Sequence, residues 1–573
     1  LRRLEETGFA GHLLLLNNDT VLPRGWLTRL LRHFDAAPSV GLVGPMTNAV
    51  WNEARVDAKY RTAMELGTFA AQQGEASEGE NFPIRTLAMF CLAVQRKVID
   101  DIGLLDERYE VGMFEDDDFA LRARLAGWRT VCAQDVFIHH EGRASFQQLG
   151  EKRYREIFDA NRAKFEQKWG REWQPHRPER RQAILRYLRE LRAILEQCRE
   201  IAHVIVFPPT IGWDIHLFQR PHQLALAFAK RGNLVFFCLD EEPSGQFSGF
   251  RQVADRLYTA DVTMEIFQML ERPLVMTLAY NSHHLTCFCR PVVIYEVIDE
   301  LEVFPYNQDL LKHRHNGLIR SADVVLATAD RLLQRIIDVR PDAILCPNGV
   351  DYERFATAQM GNSEPPSDLK PVLDRGRPII GYCGALAHWF DYELIRYAAE
   401  ARPDLTFLLL GPDHDGTLKH SGIASQPNVI WLGPRPHNVV PHYLRYFEVA
   451  TIPFKVSNIT LSTSPIKLFE YLAAGKPVVT TAMPECLKYE GVLVADSYAE
   501  FVAHIDRALE LHNDPTLQAR LQKEAQRNTW RARIEQILEA VEARCNGNSS
   551  DNEGTVPQLL DESNGQPVMS PKN

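Results

Sequence analysis

The 573 residues are 45% hydrophobic and 24% charged, ordinary globular usage in a chain long enough for two to four cored domains. A formal net charge of −11, with 64 basic residues dispersed among 75 acidic ones, leaves no electrostatic footprint for nucleic acid. Apolar runs such as residues 13–16 and 407–410 fall far short of the about 20 residues that span a bilayer, and ten scattered cysteines form no CxxC pair, which suits reduced thiols in a cytosol.

Residues 1–148 alternate short apolar strands with helical stretches, and His12-Leu-Leu-Leu-Leu-Asn-Asn-Asp19 reads as a buried strand ending in a polar turn. Residues 149–202 read as a charged helical linker. In it Ile184, Leu188, Leu191, Leu195 and Cys198 recur at spacings of three and four and mark one apolar stripe, while Pro175 and Pro178 predict two helices with a kinked joint. From Val204-Ile-Val-Phe207 strands and helices alternate again, predicting two lobes, 203–365 and 366–545, each a parallel sheet with helices on both faces. The polar stretch 361–371 is the expected hinge. Residues 546–573, rich in Asn, Ser, Gly, Asp and Pro, are expected to stay disordered. Leu1 opens the sequence without a methionine, and residues 1–6 lack the charged-then-apolar lead of a signal peptide, so the sequence reads as a fragment.

A strand that delivers Asn17, Asn18 and Asp19 to its carboxyl end presents hard oxygen ligands where an open sheet binds its ligands, and such a turn can hold a divalent cation. Phe114-Glu-Asp-Asp-Asp-Phe119 precedes the helical pattern of residues 121–125, which places its carboxylates at a helix N-terminus, where one can act as a base. Taken singly, each cluster has a plainer reading as an N-cap or a solvated acidic turn. In order with Pro23-Arg-Gly-Trp26, Ile102-Gly-Leu-Leu-Asp-Glu107, Gly127-Trp128 and His139-His-Glu-Gly-Arg-Ala-Ser145, however, they resemble the family 2 inverting glycosyltransferases of GT-A fold. That resemblance makes Asn17 and Asp19 part of a DxD-like element, with Asp19 holding Mn²⁺ or Mg²⁺ on the diphosphate of a sugar nucleotide. It makes Asp116 the general base for the acceptor hydroxyl in a single inverting displacement. His140 would complete the metal shell, with His139 as the alternative, since strand register lets only one of the two face the site. Members of that family begin with further strands and a helix that bind base and ribose. The module is therefore expected to be truncated at its front by at least about 60 residues and to bind nucleotide poorly.

Ser464-Pro-Ile-Lys-Leu-Phe-Glu-Tyr-Leu-Ala-Ala-Gly-Lys-Pro-Val-Val479 reads as a helix with marked ends: Ser464 as N-cap, Pro465 in the first position, Gly475 and Pro477 at the stop. The first-turn amides offer a diphosphate site if they face the cleft, Lys467 adds a positive charge, and Glu470 can accept hydrogen bonds from ribose hydroxyls. The plainer reading is a capped amphipathic helix with both side chains solvated.

Together with Phe218-Gln-Arg-Pro-His-Gln-Leu-Ala225, Tyr295-Glu-Val-Ile-Asp299, Ala322-Asp-Val-Val325, Pro347-Asn-Gly-Val-Asp351 and Gly384-Ala-Leu-Ala-His-Trp-Phe-Asp391, this helix resembles GT-B glycosyltransferases of the family 1 and family 4 type, particularly a bacterial surface-polysaccharide branch. The resemblance implies donor binding by Ser464, Lys467, Glu470, Arg220, Gly384 and His388 and no cofactor for this module. Glu470 is then the second glutamate of an E-x7-E motif whose first falls on Ser462, which leaves the stereochemistry open. His388 stands where a basic pair is usual, and Lys467 is the candidate to take over phosphate neutralisation. Arg220, beside Gln219, is expected to reach donor or acceptor across the cleft. Asp299 and His216 are weaker candidates, because an isolated Asp after a strand is more often a cap than a catalyst.

The expected fold is thus α/β: a partial GT-A nucleotide-diphospho-sugar transferase fold, a helical linker, and a GT-B fold with two Rossmann-like lobes. The expected activity is sugar transfer from nucleotide-diphosphate sugars to a glycan or lipid-linked acceptor in bacterial cell-surface polysaccharide synthesis. The expected place is the cytoplasm, with peripheral contact at the inner membrane face. Ser462 and the front of the first module favour a competing reading as a catalytically impaired, carbohydrate-binding scaffold. A nucleotide-sugar epimerase or dehydrogenase is disfavoured, since Val206-Phe-Pro-Pro-Thr-Ile-Gly212 stands where GxGxxG would open a βαβ unit.

Overall fold

Runs of Val, Ile, Leu and Phe build three sheets in the computed structural model, which describes residues 10–109, 112–142, 150–198, 200–215, 218–240, 248–360 and 364–547. The first sheet has the order Leu13–Leu16, Cys91–Val94, Val40–Met46, Arg129–Phe137, Asn81–Pro83; only Val40–Met46 and Arg129–Phe137 run parallel. Leu13–Leu16 is not the buried strand expected. It lies at the sheet edge with one neighbour among the described residues, and Leu16 is 40% exposed. A short ribbon pairs Thr20–Val21 with His139–His140 and so ties the turn after the first strand to the end of the last.

The linker folds as two helices, Gly150–Trp169 and Arg181–Gln197, around a joint that contains Pro175 and the 3-10 turn Pro178–Arg180. The second helix buries Ile184, Tyr187, Leu188, Leu191 and Ile194, with Leu195 and Cys198 half-buried along the same stripe. One apolar core runs from Leu42 and Trp128 of the first module through this helix to Val206, Phe236 and Val275 of the next sheet. The linker is therefore a shared wall, and the modules also touch directly, with Thr130 N–H donating to Gln268 Oε1 at 3.2 Å.

The second sheet has eight strands in the order Gly249–Ala254, Leu257–Asp261, Leu234–Cys238, Val204–Phe207, Leu274–Thr277, Val292–Val297, Val324–Ala327, Ile344–Leu345, parallel except for the edge hairpin. The third has six parallel strands in the order Val429–Gly433, Thr406–Leu410, Ile379–Cys383, Val449–Ile452, Val478–Thr481, Val492–Ala495. Such sheets, buried on both faces, explain the near-continuous apolar strands. The last helix, Trp530–Gly547, follows the second lobe in sequence but crosses back, packing Trp530, Ile534, Ile537 and Val541 against Ile205, Phe228 and Leu326 of the first lobe. Gly349 permits the crossing, because a Cβ there would lie 2.9 Å from the Trp530 backbone nitrogen. The tail expected to be disordered lies, from residue 548 onward, outside the described residues.

Candidate functional site

The turn that follows Leu13–Leu16 is closed by Asn17 N–H donating to Phe90 O at 2.8 Å and Thr20 Oγ1 donating to Asn17 O at 2.9 Å. Thr20 pairs with His140 and Val21 with His139, and strand alternation sends the two imidazoles opposite ways. His139 joins an aromatic cluster, its Nδ1 bonded to the Tyr60 hydroxyl at 2.5 Å. His140 lies flat on Phe90, with its Nδ1 3.1 Å from Ala49 O and its Nε2 3.5 Å from Asp19 Oδ2.

A carbonyl can only accept, so the bond to Ala49 assigns a proton to Nδ1, and in the neutral ring the Nε2 lone pair faces the carboxylate. Two acceptors thus face one another, and Asp19 Oδ1 is buried without a partner. Unsatisfied oxygen and nitrogen acceptors aimed at one point fit a divalent cation. Among the described residues no third His, Cys, Asp or Glu joins them, so the pair supplies part of a coordination shell, with the rest left to ligand oxygens.

The acidic turn starts the helix Glu115–Leu125 from left-handed Met113 and Phe114, both at φ 72°, and the Phe114 ring is held among Phe158, Phe165 and Trp173. Its carboxylates divide by their partners. Asp118 is fully buried and bonded to Arg122, Lys168 and Trp169. Burial pulls the Asp117 pKa up, but His176 and Arg85 outweigh it and leave it below the ordinary value. Asp116 accepts the Asp117 N–H at 2.9 Å; burial first, then the charges of Asp117 and Glu115, hold its pKa well above the usual carboxylate range. Neighbouring carboxyls pushed apart in this way are the pattern of acid and base assignments. Both line a cavity of about 810 Å³ with Trp51, Tyr154 and Trp173. The segment that grips His140 through Asn48 and Ala49 continues into this cavity as Val50 and Trp51.

In the second module the helix Ile466–Ala473 starts later than expected, and the N-cap assignment to Ser464 is corrected: Pro465 occupies the cap without a side-chain bond. Ser464 turns to the first lobe instead, where its Oγ accepts the Asn348 N–H at 3.3 Å and its carbonyl accepts Asn348 Nδ2 at 2.6 Å. Gly475, at φ +66°, ends the helix as anticipated. Glu470 accepts from His437 Nε2 at 3.0 Å and lies 3.6 Å from Lys467 Nζ, while its Oε2 is buried without a hydrogen-bond partner. Burial would raise the Glu470 pKa, but Lys467 and His437 bring it down to about 2. Burial likewise opposes the charge of Lys467, and Glu470 outweighs it. A Cβ on Gly384 would meet Lys467 Cε at 3.2 Å, and one on Gly411 would sit 1.8 Å from Gly384 O, so both positions need glycine for this close approach. The space enclosed by Gly384, Arg435, His437, Lys467 and Glu470 is about 30 Å³, room for a water but not for a nucleotide.

Arg220 does not reach across the cleft. Its buried guanidinium is held by Glu296 Oε1 at 2.7 Å and Pro347 O at 3.0 Å, which fixes the loop whose Asn348 grips Ser464. His388 stands apart from Lys467 and Glu470, 61% exposed and bonded to Asp415 Oδ2 at 3.1 Å. Asp299 borders a separate cavity of about 190 Å³, where burial and Glu300 push its pKa up to about 7. His216 lies outside the described residues. Two partners went unread in the sequence, His437 and Glu300. His437 follows Val429–Gly433 in a Pro-Arg-Pro-His run at a strand's carboxyl end, a placement that could have singled it out. Ser462, on the position of the motif's first glutamate, donates to Glu300 of the other lobe, so a carboxylate stands beside that position after all.

Residues 2–159 match the family model "Glycosyltransferase like family 2" and residues 377–511 match "Glycosyl transferases group 1". The putative teichuronic acid biosynthesis glycosyltransferase TuaH of Bacillus subtilis (strain 168) is 30% identical over 243 residues, 41% of this chain and 60% of that protein, so the match spans less than two thirds of the relative. Among solved structures, alpha,alpha-trehalose 6-phosphate synthase from Burkholderia multivorans is similar at 13% identity and TM-score 0.47, covering 61% of this chain and 100% of that one. Sucrose-phosphate synthase from Thermosynechococcus elongatus is similar at 16% identity and TM-score 0.42, covering 60% and 100%. Anabaena HepE in complex with UDP and glucose is similar at 16% identity and TM-score 0.43, also covering 60% and 100%. The chain therefore joins a family 2-like glycosyltransferase segment to a group 1 glycosyltransferase segment.

Proposed function

We propose that the chain transfers sugars from nucleotide-diphosphate sugars to a glycan or lipid-linked acceptor in cell-surface polysaccharide synthesis. The observation that carries this reading is the Asp19 and His140 acceptor pair, joined through residues 48–51 to the cavity that holds Asp116. Asp19 and His140, with Asn17 at the same turn, would hold Mn²⁺ or Mg²⁺, which when bound neutralises charge on the departing diphosphate. Asp116 takes the proton of the acceptor hydroxyl, a task its raised pKa suits. In the second module Lys467 offsets phosphate charge, and Glu470, oriented by His437, receives ribose hydroxyls on Oε2, the oxygen that Lys467 Nζ approaches at 3.6 Å. The space of about 30 Å³ requires the lobes to part first at the Asn348 to Ser464 contact.

That small space also favours a second reading for this module, a carbohydrate-binding scaffold without turnover. A place in the cytoplasm at the membrane's inner face belongs to the proposal and is supported by ten free cysteines, eight of them buried. Among the described residues no helix is long and apolar enough to cross a membrane. Radiolabelled transfer from a panel of nucleoside-diphosphate sugars with Mn²⁺ tests the reading. Transfer lost in Asp116→Asn assigns the first module, and transfer lost in Lys467→Ala the second. Saccharide binding with no transfer in any combination overturns the enzyme reading in favour of the scaffold.

A further inference from the structure

A cavity of about 670 Å³ opens where the first module, the linker joint and the second sheet meet. Pro209, Asp240, Thr263 and Tyr280 line it just beyond the carboxyl ends of four parallel strands, the usual ligand edge of such a sheet. Six arginines line it against four carboxylates, a local reversal of sign in a chain of net charge −11.

Arg124, from the helix that carries Asp116, is only 4% exposed, its Nε is buried without a partner, and no ion pair or hydrogen bond serves its guanidinium among the described residues. Such a group is unfavourable unless something anionic joins it. Arg171, from the linker joint, approaches the same space; burial, followed by the charges of Arg124 and Arg85, lowers its pKa to about 10. The nearby acids are already engaged. Arg85 shares the charge of both Glu265 and Asp117, which accept hydrogen bonds from the Thr263 hydroxyl and, at 2.9 Å, from Thr86, and neither carboxylate hydrogen-bonds Arg124 among the described residues. His283 and His284, rings 4.0 Å apart, are neutral near pH 7, since burial above all lowers their pKa values to about 3 and about 4, and as neutral imidazoles they add donors without charge.

We propose that this intermodule cavity binds a diphosphate-bearing ligand, seated on the guanidinium groups of Arg124 and Arg171, neither of which has a hydrogen bond or ion pair among the described residues. Two planar forks match two phosphoryl groups, and the volume leaves room for more than a lone phosphate. Trp173, Tyr280 and Tyr306 supply aromatic faces for whatever the diphosphate carries. Asp117, Trp173 and Pro175 line both this cavity and the Asp116 cavity, so the occupant lies one wall from the candidate base.

The proposal does not depend on sugar transfer and is tested by calorimetric titration of the full chain with pyrophosphate in EDTA. Cation-independent binding that persists in Lys467→Gln is expected, and in that background it is weakened at least tenfold by Arg171→Gln and by Arg124→Gln. Where Arg124→Gln lowers the melting temperature sharply, Arg171→Gln decides alone. Absence of binding, equal binding in Arg171→Gln, or loss of the site in Lys467→Gln overturns the proposal. Repeating the titration with UDP and with geranyl diphosphate distinguishes a nucleotide from a prenyl-linked occupant, the tighter of the two that is also weakened by Arg171→Gln naming the source.

Discussion

His437 stands between Arg354 and Glu470: the Arg354 guanidinium donates to its Nδ1 at 3.3 Å, and its Nε2 donates to Glu470 Oε1 at 3.0 Å. The arginine donor at Nδ1 leaves Nε2 to carry the proton toward the carboxylate, Gln223 Nε2 lies 3.4 Å from that same Nε2, and Phe218 stacks on the ring with centroids 5.6 Å apart. Glu470 therefore presents its second oxygen in one orientation. His437→Ala should weaken nucleotide-sugar binding about tenfold, roughly 1.4 kcal/mol, by freeing that carboxylate. Equilibrium titration with a panel of nucleoside-diphosphate sugars checks this, and unchanged affinity takes His437 out of the donor site.

The same carboxylate should mark the acid limb of stability. The Glu470 pKa of about 2 in the folded chain lies below its ordinary 4.5, so the folded state binds the proton less readily than the unfolded one. Its contribution is full above the ordinary value and is lost as pH falls from about 4.5 toward about 2. Glu470→Gln should therefore start from a lower melting temperature at neutral pH and show a shallower decline across that window. Parallel melting curves for the two proteins would refute the assignment.

How much of this was readable beforehand divides along range in sequence. The stripe Ile184, Leu188, Leu191 declares its helix because period alone decides which residues share a face. The choice between His139 and His140 could be framed as an alternation, though not settled, before the Thr20 pairing was known. Ser464 looks the same whether it caps its own helix or faces another lobe, and the partner that decides, Asn348, lies 116 positions away. Arg220 is similarly held by Glu296, 76 positions away. Trp530, Ile534, Ile537 and Val541 announce a one-faced helix, but only three-dimensional packing shows that the first lobe covers it.

Asp116 should give the transfer reaction of the first module a high-lying acid limb. Its proton is held by burial first and by Asp117 second, so the basic form grows in above the ordinary carboxylate range. Asp117→Asn removes one like charge and should move that limb to lower pH while burial keeps it above the ordinary position. A pH profile of the transfer abolished by Asp116→Asn reads this directly, and an unmoved limb would contradict the assignment.

Cation dependence should separate the two adjacent histidines. His140→Ala and Asp19→Ala each remove one of the facing acceptors and should weaken Mn²⁺ binding at least about tenfold, as loss of a ligand or its orienting partner does. His139→Ala disturbs the Tyr60 and Glu141 contacts and should leave Mn²⁺ affinity unchanged. Paramagnetic titration of free Mn²⁺ measures all three, and equal affinities across them would remove the cation from this turn.

Asp118 offers the sharpest test of how the linker is attached. It is fully buried, and it accepts from Arg122 Nε at 2.9 Å, Lys168 Nζ at 2.6 Å and Trp169 Nε1 at 3.0 Å, so one carboxylate joins the acidic helix to the end of Gly150–Trp169. Lys168 keeps a second partner in Asp106 at 2.7 Å, and Arg122 keeps Leu104 O at 2.8 Å. Even so, removing the charge at the centre of a buried cluster typically costs about 3–5 kcal/mol, because the remaining cations stay desolvated. Arg181–Gln197 is attached differently, through the apolar stripe into the shared core. In Asp118→Ala the amides of Gly150–Trp169 should exchange with solvent more than about a hundredfold faster, while those of Arg181–Gln197 keep their protection. Hydrogen exchange resolved by peptide distinguishes the two helices. Equal loss in both would mean that the linker opens as one unit and that Asp118 is not its fastening to the first module.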